Sequence, residues 1–253
     1  MNVVLRKFGS LLAKYLAKAR PYYERFSIIS QVQLISNLQP GDVLLVEGNS
    51  RVSTAIKYLT QSTWSHVSLY VGDGTLVEAD LVEGVISVPV VKYVGYNLRI
   101  CRPFNLTDED RLTVVNYVLN QLGHQYDTRN IFDLMRYLVP TPPVPSRYRR
   151  DLIALGSGDP TRAICSTLVA QAFQSVKYPI LTRSVEENEG HYPTHYDDRL
   201  LESRHYTHFT PRDFDLSPYF EIVKPTLSSN FNYKKIRWQA HLPEESSHVF
   251  HNS

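Results

Sequence analysis

The sequence predicts an α+β fold in which an antiparallel sheet packs against a cysteine-bearing helix. Two observations lead there. Short segments rich in Val, Ile, Leu and Tyr, bounded by Gly, Pro, Asn and Asp, recur at 43–47, 66–72, 75–81, 84–89 and 97–101, the spacing of strands joined by tight turns. Further on, Leu168, Val169, Ala172, Phe173 and Val176 recur with helical period in a segment spanning roughly 163–177, which gives one buried face to a helix that carries Cys165 near its start.

The other elements follow in order. Leu5, Phe8, Leu12, Tyr15 and Leu16 form an apolar stripe flanked by Arg6, Lys7, Lys14, Lys18 and Arg20. Residues 1–30 are therefore expected to hold a basic amphipathic helix, ended by Pro21. Two readings are open for it: docking on the domain, or peripheral contact of residues 1–20 with an anionic membrane surface. Residues 27–36 read as a short helical or mixed segment, and Pro40-Gly41-Asp42 as a turn before the first strand. A short helix is expected over Ser53 to Tyr58. Thr107-Asp108-Glu109-Asp110 is a capping pattern opening a helix to about Leu122, with Leu112, Val115, Leu119 and Leu122 as its expected apolar face and Gly123 as its stop. Another helix is expected over 130–138, followed by a stiff Pro-rich connector at 140–145. Residues 183–208 read as a polar surface excursion, Phe220 to Lys224 as a final strand, and 226–253 as a tail. Residues 31–225 thus form the expected main domain.

Composition excludes several classes. The chain has 253 residues, 43% hydrophobic and 21% charged, with a net charge of +2, which is ordinary for a globular domain and does not mark a nucleic-acid binder. No run of about 18 apolar residues suggests a transmembrane helix, and no signal-peptide pattern opens the chain. Two cysteines, Cys101 and Cys165, do not make a disulfide framework. With the missing signal they point to a reducing, cytoplasmic setting. Cys101 closes a strand and reads as a small buried residue. No cofactor is implied. His191-x-x-x-His195 and His205-x-x-His208 have spacings that suit metal ligation on a helix, but Gly190 and Pro193 argue against a regular helix there, so no metal site is assigned.

The candidate chemistry lies in His66 and Cys165. A thiol nucleophile needs a base beside it, and here the base precedes the nucleophile in the chain. The constellation, not the chain order, carries such chemistry. Along 66–81 the even positions hold His66, Ser68, Tyr70, Glu78 and Asp80, and the odd ones Val67, Leu69, Val71, Val77, Ala79 and Leu81, with Leu76 the exception. Alternate strand residues face opposite sides. A two-residue Asp73-Gly74 loop would set His66 and Glu78 on opposite faces. A three-residue Gly72-Asp73-Gly74 loop pairs Ser68 with Glu78 and His66 with Asp80, and gathers the odd apolar residues on one face; that register is expected. Either Glu78 or Asp80 can then orient the imidazole.

The Gly41-Asp42-Val43-Leu44-Leu45 opening, the Ser65-His66-Val67 strand, Glu78 twelve residues after the histidine, and the Cys165-Ser166-x-Leu168-Val169 helix together resemble the permuted papain-like cysteine hydrolases of the NlpC superfamily, the YiiX/YebB-like group above all, over roughly residues 38–225. The lecithin:retinol acyltransferase group is similar in the same features, but its third position is a histidine. The resemblance implies a circularly permuted papain-like fold and a Cys-His-Glu triad, with Cys165 as nucleophile, His66 as base and Glu78 as the orienting acid. It also implies Tyr126 as a candidate oxyanion or substrate contact. The implied activity is an amidase or peptidase working through a covalent acyl-enzyme on a peptide, amide or lipid-like small substrate. Two rivals stand beside it: a lipid-linked acyltransferase or lipid esterase of the same fold, and a non-catalytic binding module.

Overall fold

The computed structural model describes residues 29–80, 83–124, 164–184, 201–203 and 205–225, with Lys18, Asn232 and Lys234 besides. The expected N-terminal helix, the helix at 130–138, the connector at 140–145, Tyr126, His191, His195 and the tail lie outside these residues, apart from Ile29, Ser30 and those three isolated positions.

The described elements are helix α1 (Gln31–Asn37), strand β1 (Val43–Val46), α2 (Arg51–Thr60), β2 (His66–Gly72), β3 (Thr75–Asp80), β4 (Gly84–Pro89), a 3₁₀ turn (Val90–Tyr93), β5 (Leu98–Pro103), α3 (Asp108–Asn120), α4 (Ile164–Ser175), β6 (Thr182–Ser184), β7 (Leu201–Ser203), a second 3₁₀ turn (Tyr206–His208), α5 (Pro211–Asp215) and β8 (Phe220–Val223). Six strands form one antiparallel sheet in the order β4-β3-β2-β1-β5-β8.

Both faces of this sheet are buried. Val43, Leu45, Val67, Leu69, Val77, Ala79 and Cys101 form one face, joined by Val114 and Val118 of α3, Leu168, Val169, Ala172 and Phe173 of α4, and Phe214 of α5. Leu44, Val46, Tyr70, Leu76 and Ile100 form the other, with Leu34 of α1 and Val90 and Tyr93 of the first 3₁₀ turn. The even-numbered face of the hairpin is therefore covered, where the sequence pattern implied a mostly polar one. Leu76, the parity exception, is fully buried in it.

The β2–β3 hairpin combines the two loops that the sequence set against each other. Leu69 pairs with Val77 and Tyr70 with Leu76, the register expected, yet Gly72 pairs with Thr75 across a two-residue Asp73-Gly74 turn. The register shifts between Tyr70 and Gly72, so Val71 is the extra residue of a bulge. Asp73 and Gly74 have φ of 49° and 68°, as a tight hairpin turn with both central residues left-handed requires. One bulge thus reconciles the short turn with a shared His66–Glu78 face.

One expectation needs correction. The buried face of α3 is Val114, Val115 and Val118, while Leu112, Leu119 and Leu122 are exposed at 63%, 36% and 39%. Apolar residues ring this helix, and the valines are the ones turned to α4 and β2. At the two ends of the stretch read as a polar excursion, Thr182–Ser184 pairs with Leu201–Ser203, and residues 185–200 between them lie outside the described residues.

The loop after β1 sets up the histidine strand. Ser50 caps α2 by accepting from the N–H of Ser53, Gly48 donates its N–H to Ser65 Oγ at 2.9 Å, and the N–H of Ser65 bonds the carbonyl of Val46. At the other end of β1, Asp42 is fully buried and held in a fork by Arg102, with Nε 2.9 Å from Oδ1 and Nη2 2.7 Å from Oδ2.

Candidate active site

His66 opens β2 and Cys165 lies in the first turn of α4, and the two side chains are near enough for each to shift the other's proton equilibrium. Helix α4 packs on β2 and β3 through its apolar face, which brings its N-terminal end down on the start of the histidine strand. The backbone N–H of Val67 also favours the thiolate.

The imidazole continues into Glu78. His66 Nε2 is 3.1 Å from Glu78 Oε2, so Nδ1 is the nitrogen left to face the thiol. Glu78 is 1% exposed and fully engaged. Oε2 also accepts from the Tyr93 hydroxyl at 2.6 Å, and Oε1 accepts from Lys92 Nζ at 2.5 Å. The rings of His66 and Tyr93 lie 5.9 Å apart, tilted by 40°. Asp80, the other acid on this face, caps the β3–β4 turn instead, its Oδ1 accepting from the N–H of Glu83 at 3.0 Å.

The electrostatics favour an ion pair. Burial penalises the imidazolium, but the Glu78 carboxylate and the hydrogen bonds to Cys165 and Glu78 outweigh it and push His66 up to about 10. Burial likewise opposes ionisation of Glu78, yet His66 and then Lys92 hold it down to about 2. Burial raises the Cys165 thiol, and contact with His66 and the Val67 N–H reverses this, so its net shift is below the ordinary thiol value. Tyr93 moves the other way: burial and the adjacent carboxylate keep its phenol protonated, a permanent donor to Glu78. Cys101 is fully buried on the sheet, and burial drives its thiol up to about 12. Asp215 and Asp42 push the same way, and the nearby Arg99 does not offset them, so the thiol stays protonated and unreactive.

Lys92 and Tyr93 were not anticipated from the sequence. They come to Glu78 from a 3₁₀ turn two connections away in the sheet, and Val90-Val91-Lys92-Tyr93 carries no motif. Among the described residues no group of three or more His, Cys, Asp and Glu side chains is placed to hold a metal ion, and no helix is long and apolar enough to cross a membrane. His208 ends the second 3₁₀ turn and His205 immediately precedes it, with ring centres 6.1 Å apart.

An antiparallel sheet with a histidine at one strand end, and a later helix that delivers a cysteine to it, defines the class as a circularly permuted papain-like α+β fold. Residues 37–137 match the family model described as "Permuted papain-like amidase enzyme, YaeF/YiiX, C92 family", which bears out the likeness to the YiiX group. The chain is also 24% identical over 160 residues to the "Probable lipoprotein peptidase YaeF" of Escherichia coli (strain K12), covering 57% of this chain and 58% of that protein's length. A solved structure described as metalloprotein yiiX from Escherichia coli O157:H7 aligns with a TM-score of 0.45 and 16% identity, covering 74% of this chain and 97% of that one.

Proposed function

We propose that this chain is a thiol hydrolase of amidase or peptidase type, with Cys165 as nucleophile, His66 as general acid and base, and Glu78 as the residue that orients the imidazole. The observation that carries this reading is His66 bonded to Glu78 on one side, with the buried Cys165 near enough on the other for the imidazole to lower its thiol. The family of permuted papain-like amidases supports a peptide-like substrate.

The chemistry follows from the geometry. The Cys165 thiolate attacks the carbonyl carbon of an amide, and the carbonyl π electrons pass to oxygen. Backbone N–H groups at the start of α4 stand at the positive end of the helix and suit that oxyanion. The His66 imidazolium gives its Nδ1 proton to the leaving nitrogen as the C–N bond breaks, leaving a thioester on Cys165. Neutral His66 then takes a proton from water, hydroxide attacks the thioester, and the acid leaves as the thiolate returns. Glu78 fixes the Nε2–H tautomer and stabilises the imidazolium throughout.

The test is the pH dependence of Cys165 alkylation by iodoacetamide, read at the Cys165 peptide by mass spectrometry, in the native chain and in His66→Ala. An unperturbed thiol titrates near ~8.5. Rapid labelling well below that pH, lost in His66→Ala, is the expected result, and amide hydrolysis would then be sought with acyl-peptide substrates. Labelling that rises only near the ordinary thiol value, unchanged by His66→Ala, overturns the assignment.

A further inference from the structure

A glutamate is an unusual third member for a buried thiol site. A thiolate and an imidazolium sum to zero, and papain-like proteases place a neutral asparagine beside the histidine. With Glu78 ionised at 1% exposure, the three groups sum to one negative charge. Burial penalises an uncompensated charge heavily. Such a cluster lowers its energy by taking up a proton, on sulfur or on the carboxylate, and either event ends the working state.

Lys92 supplies the missing charge. Its Nζ lies 2.5 Å from Oε1, the oxygen that His66 does not use, and 5.2 Å from the centre of the Tyr93 ring. The ammonium has 40% of its side chain exposed, so it keeps water on one side and the carboxylate on the other. Along the run Cys165, His66, Glu78, Lys92 the charges alternate and sum to zero. We propose that Lys92 is a fourth member of the site, a positioning residue that acts through Glu78 to hold the carboxylate ionised and the thiolate–imidazolium pair within a neutral cluster. This inference rests on the reading of Cys165 and His66 as the reacting pair.

Among the described residues, the elements packed around the carboxylate bring these other groups. From β2 come His66 and Tyr70, whose hydroxyl accepts from the Gly74 N–H. From β3 comes Asp80, which caps its own turn. The 3₁₀ turn contributes Tyr93, with Tyr96 edge-on to it at 5.8 Å, and α4 contributes Cys165. Helix α1, which packs on that turn, has the sequence QVQLISN and carries no charge. Lys92 is thus the cation paired with Glu78 besides His66 among the described residues.

Removing the positive charge has a defined sign. Without it the working state is net negative, so it takes up a proton more readily and gives up the imidazolium proton less readily. The pH at which Cys165 becomes alkylatable and the pH at which His66 loses its proton both move upward in Lys92→Met, by about half a pH unit or more for a partly screened charge at this range. Lys92→Arg keeps the charge and leaves both where they are. The experiment is the iodoacetamide profile of the full chain, native, Lys92→Met and Lys92→Arg, with His66 followed by NMR and folding checked by thermal melting. An upward shift in Lys92→Met, absent in Lys92→Arg, supports the proposal. A Lys92→Met profile that keeps its midpoints while only the rate or melting temperature falls overturns it and leaves the Cys165–His66 pair standing. A native profile with an ordinary thiol midpoint sinks the pair itself, and Lys92's role with it. Should Lys92→Met not fold, Lys92→Gln carries the same test.

Discussion

His66 and Tyr93 meet on one oxygen: Glu78 Oε2 lies 3.1 Å from the imidazole Nε2 and 2.6 Å from the phenol hydroxyl. The phenol stays protonated because burial and the carboxylate both disfavour its anion, so it pins the carboxylate in the plane that suits the imidazole. Tyr93→Phe should therefore cost about 1.5–3 kcal/mol of stability, the range for a hydrogen bond to a charged acceptor. Urea unfolding near neutral pH measures it. A variant as stable as the native chain would mean that the hydroxyl holds nothing.

The His66–Glu78 pair makes stability depend on pH at both ends. The folded-state value of His66 is raised to about 10 from 6.5, so its contribution is complete below about 6.5 and is lost as pH rises through about 10. That of Glu78 is lowered to about 2 from 4.5, so its contribution is present above about 4.5 and is lost as pH falls through about 2. The stability difference between the native chain and His66→Gln should be largest between about pH 4.5 and 6.5 and shrink toward both extremes. Denaturation midpoints across this range check it, and a difference that does not vary with pH contradicts the ion pair.

Asp42 makes a stronger demand on the fold. It is fully buried, and its two oxygens take two donors from Arg102 and one from the Gln39 N–H at 2.8 Å. Asp42→Ala removes both bonds of the fork and leaves the guanidinium only the Asn37 carbonyl, 2.6 Å from Nη2, which should cost about 3–5 kcal/mol. Asp42→Asn keeps the shape and half of the acceptors and should lose less. Equal chemical-denaturation midpoints for the native chain and Asp42→Ala would show that the fork contributes nothing.

The sequence made the hairpin legible because parity is a strong constraint: one register alone gathers Val67, Leu69, Val77 and Ala79, and the structure buries all four together. It left Glu78 and Asp80 equal, since both share the face of His66. What separates them is local. Asp80 sits beside the β3–β4 turn and is drawn to the Glu83 N–H, while the longer Glu78 reaches diagonally to the imidazole. Lys92, Tyr93 and Asp215 were invisible for a different reason. Each reaches its partner across the fold, and Asp215 ends a five-residue helix, too short for periodicity to register. There it accepts from Trp64 Nε1 at 3.0 Å and pairs with Arg99. Helix α3 was misread because its apolar residues lie on every side, and spacing alone does not say which side meets the sheet.

Gly48 ties the α2 cap to the histidine strand, and the tie is steric. A Cβ at Gly48 would stand 2.3 Å from Ser53 Oγ, 3.1 Å from Ser53 Cβ and 2.9 Å from Ser65 Oγ. Neither serine swings away freely. Ser53 bonds Ser50 Oγ at 2.8 Å, and Ser65 accepts the Gly48 N–H itself. Gly48→Ala must therefore shift the backbone of 48–53 or push Ser65, and Ser65 immediately precedes His66. Overpacking of this kind costs about 1–3 kcal/mol. The displacement should also loosen the His66–Cys165 contact, so that Cys165 labelling at mildly acidic pH falls further than the stability loss explains. Thermal melting and the alkylation rate, measured on the same preparation, separate the two effects. A Gly48→Ala chain with native melting and native labelling would show that the loop yields freely and that it does not position His66.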